Sequence, residues 1–148
     1  MGKFVYVLLA FSVIDLVISI WVPEQSLQTM LALKVQICVG QSALVFLVFA
    51  LLKKPVPMLM AEAFAPALRN LKGQNAQGYI RVWQQVSTVW VIAFVAKAIV
   101  FQFSDGFSEV SFALINTLAG WPLHIGLVYF AIAYSRNKFE QLDFAVRL

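Results

Sequence analysis

Four long apolar stretches, set apart by short polar intervals and one long one, restrict this chain more than any other feature. Residues 4–22, 31–52, 82–103 and 110–134 each contain at most one Asp, Glu, Lys or Arg. At ~1.5 Å per helical residue each reaches across the ~30 Å hydrocarbon core of a bilayer. Backbone polar groups in hydrocarbon must bond within their own segment, so these stretches predict helices. The expected fold is all-α: a single polytopic membrane domain, 1–148, with four transmembrane helices arranged as two hairpins. Composition agrees, since 61% of positions are hydrophobic and 12% charged, against roughly 25% charged in a soluble domain.

The long interval, a connector over 53–81, sets the orientation. Lys53, Lys54, Arg69, Lys72 and Arg81 lie in it, and Lys3, Arg136, Lys138 and Arg147 fall on the same side of the membrane. The other side holds Lys34 with the acidic Glu24, Asp105 and Glu109. The positive-inside rule then makes the connector, both termini and the tail 135–148 cytoplasmic. The net charge of +4 is therefore read as topology signal and lipid-headgroup contact, worth about 1 kcal/mol per residue near an anionic leaflet. It is not the basic face of a nucleic-acid binder, because these residues flank apolar segments. Met60, Phe64, Leu68 and Leu71 share one helical side over 58–71, with Glu62, Arg69 and Asn70 mostly elsewhere. That spacing predicts a short interfacial helix in the connector, interrupted or kinked at Pro66. The run Gly73 to Gly78 is expected to be a flexible turn with no phosphate loop in it.

Several features of the spans refine this. The first segment is too long for a signal peptide, contains Asp15 and lacks a small-x-small cleavage site, so a retained helix is expected. Tyr6 stands where an N-myristoylation motif needs Ser or Thr. Trp21 and Pro23 mark the outer end of that helix. Cys38, the single cysteine, sits in an apolar segment and is expected to be a buried thiol. Gln36, Gly40, Gln41 and Ser42 form a helix-packing face, although a substrate path would use the same residues. Pro122 is expected to bend the fourth helix. Val5 to Phe11 and Val89 to Phe94 form a faint aromatic-aliphatic repeat.

The polar residues within the spans are the candidate site. Asp15 lies eight residues before Pro23, and Lys97 eight before Asp105. Both therefore sit ~12 Å below the outer boundary, in helices running the same way. A lone charge there costs ~2.5 to 3.5 kcal/mol on insertion scales, which predicts an Asp15–Lys97 ion pair. Gln41 and Asn116 would complete a hydrogen-bonded cluster with it, and His124 is the remaining intramembrane ionisable group. The competing reading is a snorkelling Lys97 and a protonated Asp15. No catalytic, cofactor or metal residues are expected. One histidine cannot build a His-ligand zinc or haem site within one chain. Asp15 and His124 with a serine lack the elbow and oxyanion loop of a hydrolase.

The pattern Lys53-Lys54-Pro55-Val56-x-Met58, followed after an insert by Val82-Trp83-x-x-Val86-x-x-x-Trp90-x-x-x-Phe94, resembles the second half of the intracellular septation protein A family. The interval from Lys34 to Lys53 and the run Val110-Ser111-Phe112 are similar too, over about residues 34–138. Val35 and Ala113 depart from it where the family has proline and lysine, and the family's leading helix or two has no counterpart here. The resemblance implies a bacterial inner-membrane protein of envelope growth or division, with no catalytic residues to carry over. The resulting expectation is a non-enzymatic scaffold or accessory subunit in the lipid bilayer, partnered by other membrane proteins or by its own copies. The alternative is a small transporter or ion-conducting unit using Asp15, Lys97 and His124.

Overall fold

A computed structural model describes Val13, residues 27–103 and residues 106–142; for 27–31 and Glu109 the description stops at the backbone. The first apolar segment lies outside the described residues except for helical Val13. Lys3, Asp15, Trp21, Pro23, Asp105 and Arg147 fall outside them as well. The described chain is all-helical, with α1 (Leu27–Leu51), α2 (Val56–Phe64), α3 (Leu68–Gln74), α4 (Ala76–Gln102), α5 (Glu109–Leu118) and α6 (Trp121–Gln141). Three spans among the described residues are long and apolar enough to cross a membrane: Ala32–Leu51, Ala76–Gln102 and Val110–Gln141.

Local chemistry places the helix ends. At the end of α1, Lys53 takes a left-handed conformation (φ 57°). Its N–H donates to the Ala50 carbonyl at 3.1 Å, and that of Lys54 to Phe49 at 2.9 Å. This is a Schellman closure, which satisfies two carbonyls that α1 would otherwise leave open. Pro55 then follows, and α2 starts with Pro57 in its first turn, where a missing N–H costs nothing. Pro66 pushes Ala65 out of helical geometry (φ −130°, ψ 82°), so the helix expected over 58–71 is interrupted there and becomes two.

That break resets the helical phase and corrects the expected face. Val56, Pro57, Met58 and Glu62 of α2 are buried, while Met60 and Phe64 are exposed; Leu71, now on α3, turns inward. The run Gly73 to Gly78 is also no loose turn. Asn75 ends α3 by donating its N–H to the Leu71 carbonyl and opens α4 by accepting the Gly78 N–H on Oδ1 at 2.9 Å. Consequently α4 starts at Ala76, ahead of the expected 82, and α1 starts at Leu27, ahead of 31.

The core is built on α4. Tyr79, Val82, Trp83, Val86, Ser87, Trp90 and Phe94 recur at three- and four-residue steps and are all buried, which makes one continuous inward face. Against it α1 lays Val35, Val39, Ala43 and Phe46. Phe46 stacks on Trp90 (centroids 5.1 Å) and meets Phe94 edge-on (5.4 Å). Lipid offers apolar helices no hydrophobic reason to associate, so close packing and interhelical hydrogen bonds carry the pairing. Gln84 Nε2 donates to the Ala50 carbonyl (2.8 Å) and Ser87 Oγ to the Phe46 carbonyl (3.2 Å). Pairing Ala50 with Gln84, Phe46 with Ser87 and Ala32 with Phe101 makes α1 and α4 antiparallel. On this register Cys38 falls one position away from the inward face and is exposed, which corrects the buried thiol expected from composition.

On its other side α4 meets α6, also antiparallel. Phe139 stacks on Tyr79 (5.4 Å), Tyr134 Oη donates to Gln85 Oε1 (2.9 Å), and His124 meets Trp90 (6.2 Å). The α2–α3 pair adds Met58 and Leu71 to the Tyr79 end of the core.

Candidate functional site

The expected fourth helix, 110–134, is broken in the middle rather than bent. Helix α5 ends at Leu118, and α6 restarts at Trp121 with Pro122 in its first turn. Pro122 has no N–H to carry the helix across and its ring crowds the preceding turn, so the chain restarts. A break of this kind at membrane depth leaves carbonyls that something must satisfy. Lys97 does so at Ala119, while His124 adds its ring to the Gly120 carbonyl, which also accepts the His124 backbone N–H at 3.3 Å. Lys97 Nζ donates to the Ala119 carbonyl at 2.7 Å, from α4 to the end of α5. His124 Nδ1 lies 2.7 Å from the Gly120 carbonyl; a carbonyl only accepts, so Nδ1 carries the proton.

Electrostatics favour this placement of the ammonium. The C-terminal end of α5 carries the negative end of its peptide dipoles, which attracts a cation. The Phe101 ring lies 6.0 Å from Nζ, close enough for its negative face to contribute. The His124 ring packs on Trp90 and Phe94, with centroids at 6.2 and 5.8 Å. Lys97 and His124 thus bond to neighbouring carbonyls and not to each other.

The other expected members of the cluster are placed differently. Gln41 is half-buried on α1 and Asn116 is exposed on α5; neither hydrogen-bonds to Lys97 or His124. Asp15 is outside the described residues. The arrangement resembles a capped helix break more than an acid–base relay, which needs two titratable groups within hydrogen-bond reach. No group of three or more His, Cys, Asp or Glu that could hold a metal occurs among the described residues.

The basic residues of the connector divide by partner. Lys53 and Lys54 are exposed beside the α1 closure, and Lys72 is half-buried on α3. Arg69 Nε pairs with Glu62 Oε2 at 3.6 Å. Arg81 is exposed at the start of α4.

Sequence reasoning missed Glu62, Tyr79 and Trp83, which meet where the connector covers the bundle. Each is buried, and the Tyr79 hydroxyl lies within the influence of both Glu62 and Trp83. Beside them an apolar groove of about 480 Å³ separates α2 from α6, lined by Met60, Phe64, Trp83, Trp90, Ile132 and Phe139 among others. No periodic signal marks such a groove, because its walls come from helices far apart in sequence. Comparison of the chain with protein-family models, with curated proteins and with solved structures gives no match.

Proposed function

We propose that the protein is a non-enzymatic integral membrane scaffold or accessory subunit that acts by docking a partner's transmembrane helix, or that of a second copy. One observation carries this reading. The span Val110–Gln141 has only 11% of its most apolar window buried within the chain. On α6 the uncovered side is apolar: Trp121, Ile125, Val128 and Ile132 are exposed at steps of four and three residues, and Leu114 and Leu118 are exposed on α5. A stripe of this spacing is one that a neighbouring transmembrane helix would pack against.

In the same reading the first apolar segment adds a fourth transmembrane helix, and the termini and connector face the cytoplasm of a bacterial inner membrane. A role in envelope growth or division rests on the resemblance of the Lys-Lys-Pro and Trp-rich segments. Transport through Asp15, Lys97 and His124 is the weaker reading, because Lys97 and His124 spend donors on backbone carbonyls.

Cross-linking in membranes, followed by purification in mild detergent, tests the proposal. A stoichiometric membrane partner or a dimer is expected, lost when Ile125 and Ile132 are changed to Asn. A monodisperse monomer with no cross-linked partner would overturn it.

A further inference from the structure

At the connector end of the bundle the start of α4 and the end of α6 border a second, open pocket, also about 480 Å³, whose lining is half polar and half apolar. Arg81 enters it from α4 and Lys138 from α6, with the side chains of Asn75, Gln77, Gln85 and Gln141 around them. No carboxylate lines it among the described residues. We propose that this pocket binds a phosphate-bearing anion at the membrane surface.

The state of the two cations is the first reason. Among the described residues Arg69 is paired with Glu62, and Arg136 with Glu140 (3.2 Å). Arg81 alone of the described arginines makes no ion pair or hydrogen bond, so its five donors in a planar fork remain available to anionic oxygens. Lys138 is held in place. Its Nζ donates to Gln141 Oε1 at 2.9 Å and lies 6.0 Å from the Tyr134 ring, leaving two further N–H donors.

The pocket wall is fixed in the sense an anion needs. Tyr134 Oη donates to Gln85 Oε1, which occupies the acceptor of that amide and leaves its NH₂ as a donor. The N-terminal end of α4 faces the same space through Asn75, Gln77 and Gly78, and the positive end of its dipoles adds to the field of Arg81 and Lys138. Guanidinium, ammonium and amide donors, with no competing carboxylate among the described residues, match the oxygens of a phosphate group.

The setting narrows the source. Arg81 and Lys138 sit at one end of two membrane-length helices, the level of lipid headgroups, where basic pockets between transmembrane helices hold anionic lipids. The inference needs the membrane placement but not the scaffold reading, and a protein that docks no helix could still hold a phosphate here.

The test uses the full chain in detergent and two probes, with thermal stability of each variant as the folding control. Native mass spectrometry measures retention of phosphatidylglycerol against phosphatidylcholine of the same acyl chains. Thermal shift measures the response to inorganic phosphate and pyrophosphate. Preferential retention of phosphatidylglycerol, reduced about tenfold by Arg81→Gln with Lys138→Gln and preserved in Arg136→Gln, establishes a lipid headgroup as the source. Stabilisation by free phosphate that the double variant loses, with no lipid preference, supports the site with a soluble phosphate as its ligand. Absence of both responses overturns the proposal. So does an equal loss in Arg136→Gln, which would show that basic charge in general, not the pocket, binds the anion.

Discussion

Gly120 is the residue on which the broken span turns, and replacing it by alanine tests how tightly the break is held. A Cβ built there lies 3.1 Å from the Asn116 carbonyl oxygen and 3.2 Å from that of Thr117. Neither oxygen belongs to a flexible side chain that can swing aside. The Thr117 carbonyl already accepts the Gly120 N–H at 3.2 Å, and the Ala119 and Gly120 carbonyls bond Lys97 and His124. Relieving the contact therefore shifts several bonds together, and overpacking of this kind costs ~1–3 kcal/mol. Gly40 and Gly126 supply the comparison, because a Cβ at either meets nothing within 4 Å. There alanine removes the flexibility penalty of a helical glycine, a gain of about 0.5–1 kcal/mol. Unfolding of the three variants by SDS titration from one mild detergent should give opposite signs: Gly120→Ala less stable than the parent, the other two equal or more stable. If Gly120→Ala matches Gly40→Ala, the carbonyls yield freely and the reasoning fails. Combining Gly120→Ala with Lys97→Met is the sharper check. Lys97 bonds the carbonyl of the peptide that joins Ala119 to Gly120, and the added Cβ presses on the turn just before it, so their effects should couple by more than ~0.5 kcal/mol, and strict additivity would show that Lys97 does not hold the break.

Lys53→Gly should stabilise by about 1 kcal/mol, since a left-handed backbone costs an L-residue ~1–2 kcal/mol and glycine almost nothing; an unchanged unfolding midpoint would count against the Schellman closure. Gln84→Leu and Ser87→Ala should each lose ~0.6 kcal/mol of α1–α4 association, the usual size of such bonds in lipid, and a loss above ~2 kcal/mol would mean that the two side chains do more than bridge. We also predict that Lys97→Met alone destabilises more than Lys97→Met with Asp15→Asn, because the single change strands a carboxylate; additive losses would mean that the two side chains never meet. Finally, cysteines placed at Gly73 and Asp105 should label from the cytoplasmic and periplasmic sides respectively. Labelling of both from the periplasm would reverse the assigned topology, and replacing Lys53 and Lys54 by Glu should weaken it or lower insertion.

What could be read in the chain alone follows from period and sign. The apolar runs 31–52, 82–103 and 110–134 announce helices because hydrocarbon admits few other structures, and three described spans cover those regions. The interruption at Pro66 was legible for the same kind of reason, since a proline ring acts on its own turn of helix. The ends of helices were less so. Asn75 both ends α3 and opens α4, and a polar, glycine-bearing run gives no warning that one side chain will cap two helices.

Only the tertiary structure decided which side of each helix faces inward and where the polar groups end. Cys38 and Gln41 belong to the same apolar run, yet their exposure depends on the register set by Phe46 against Trp90 and Ala50 against Gln84. Lys97 could be recognised as a costly charge from its depth, but its bond to Ala119 arises from a helix break more than twenty residues away in sequence. Arg81 and Lys138 meet for a similar reason: α4 and α6 are antiparallel, so the start of one lies beside the end of the other. Periodicity is a property of one helix at a time, whereas a site made by several helices exists only once their packing has set depth and rotation.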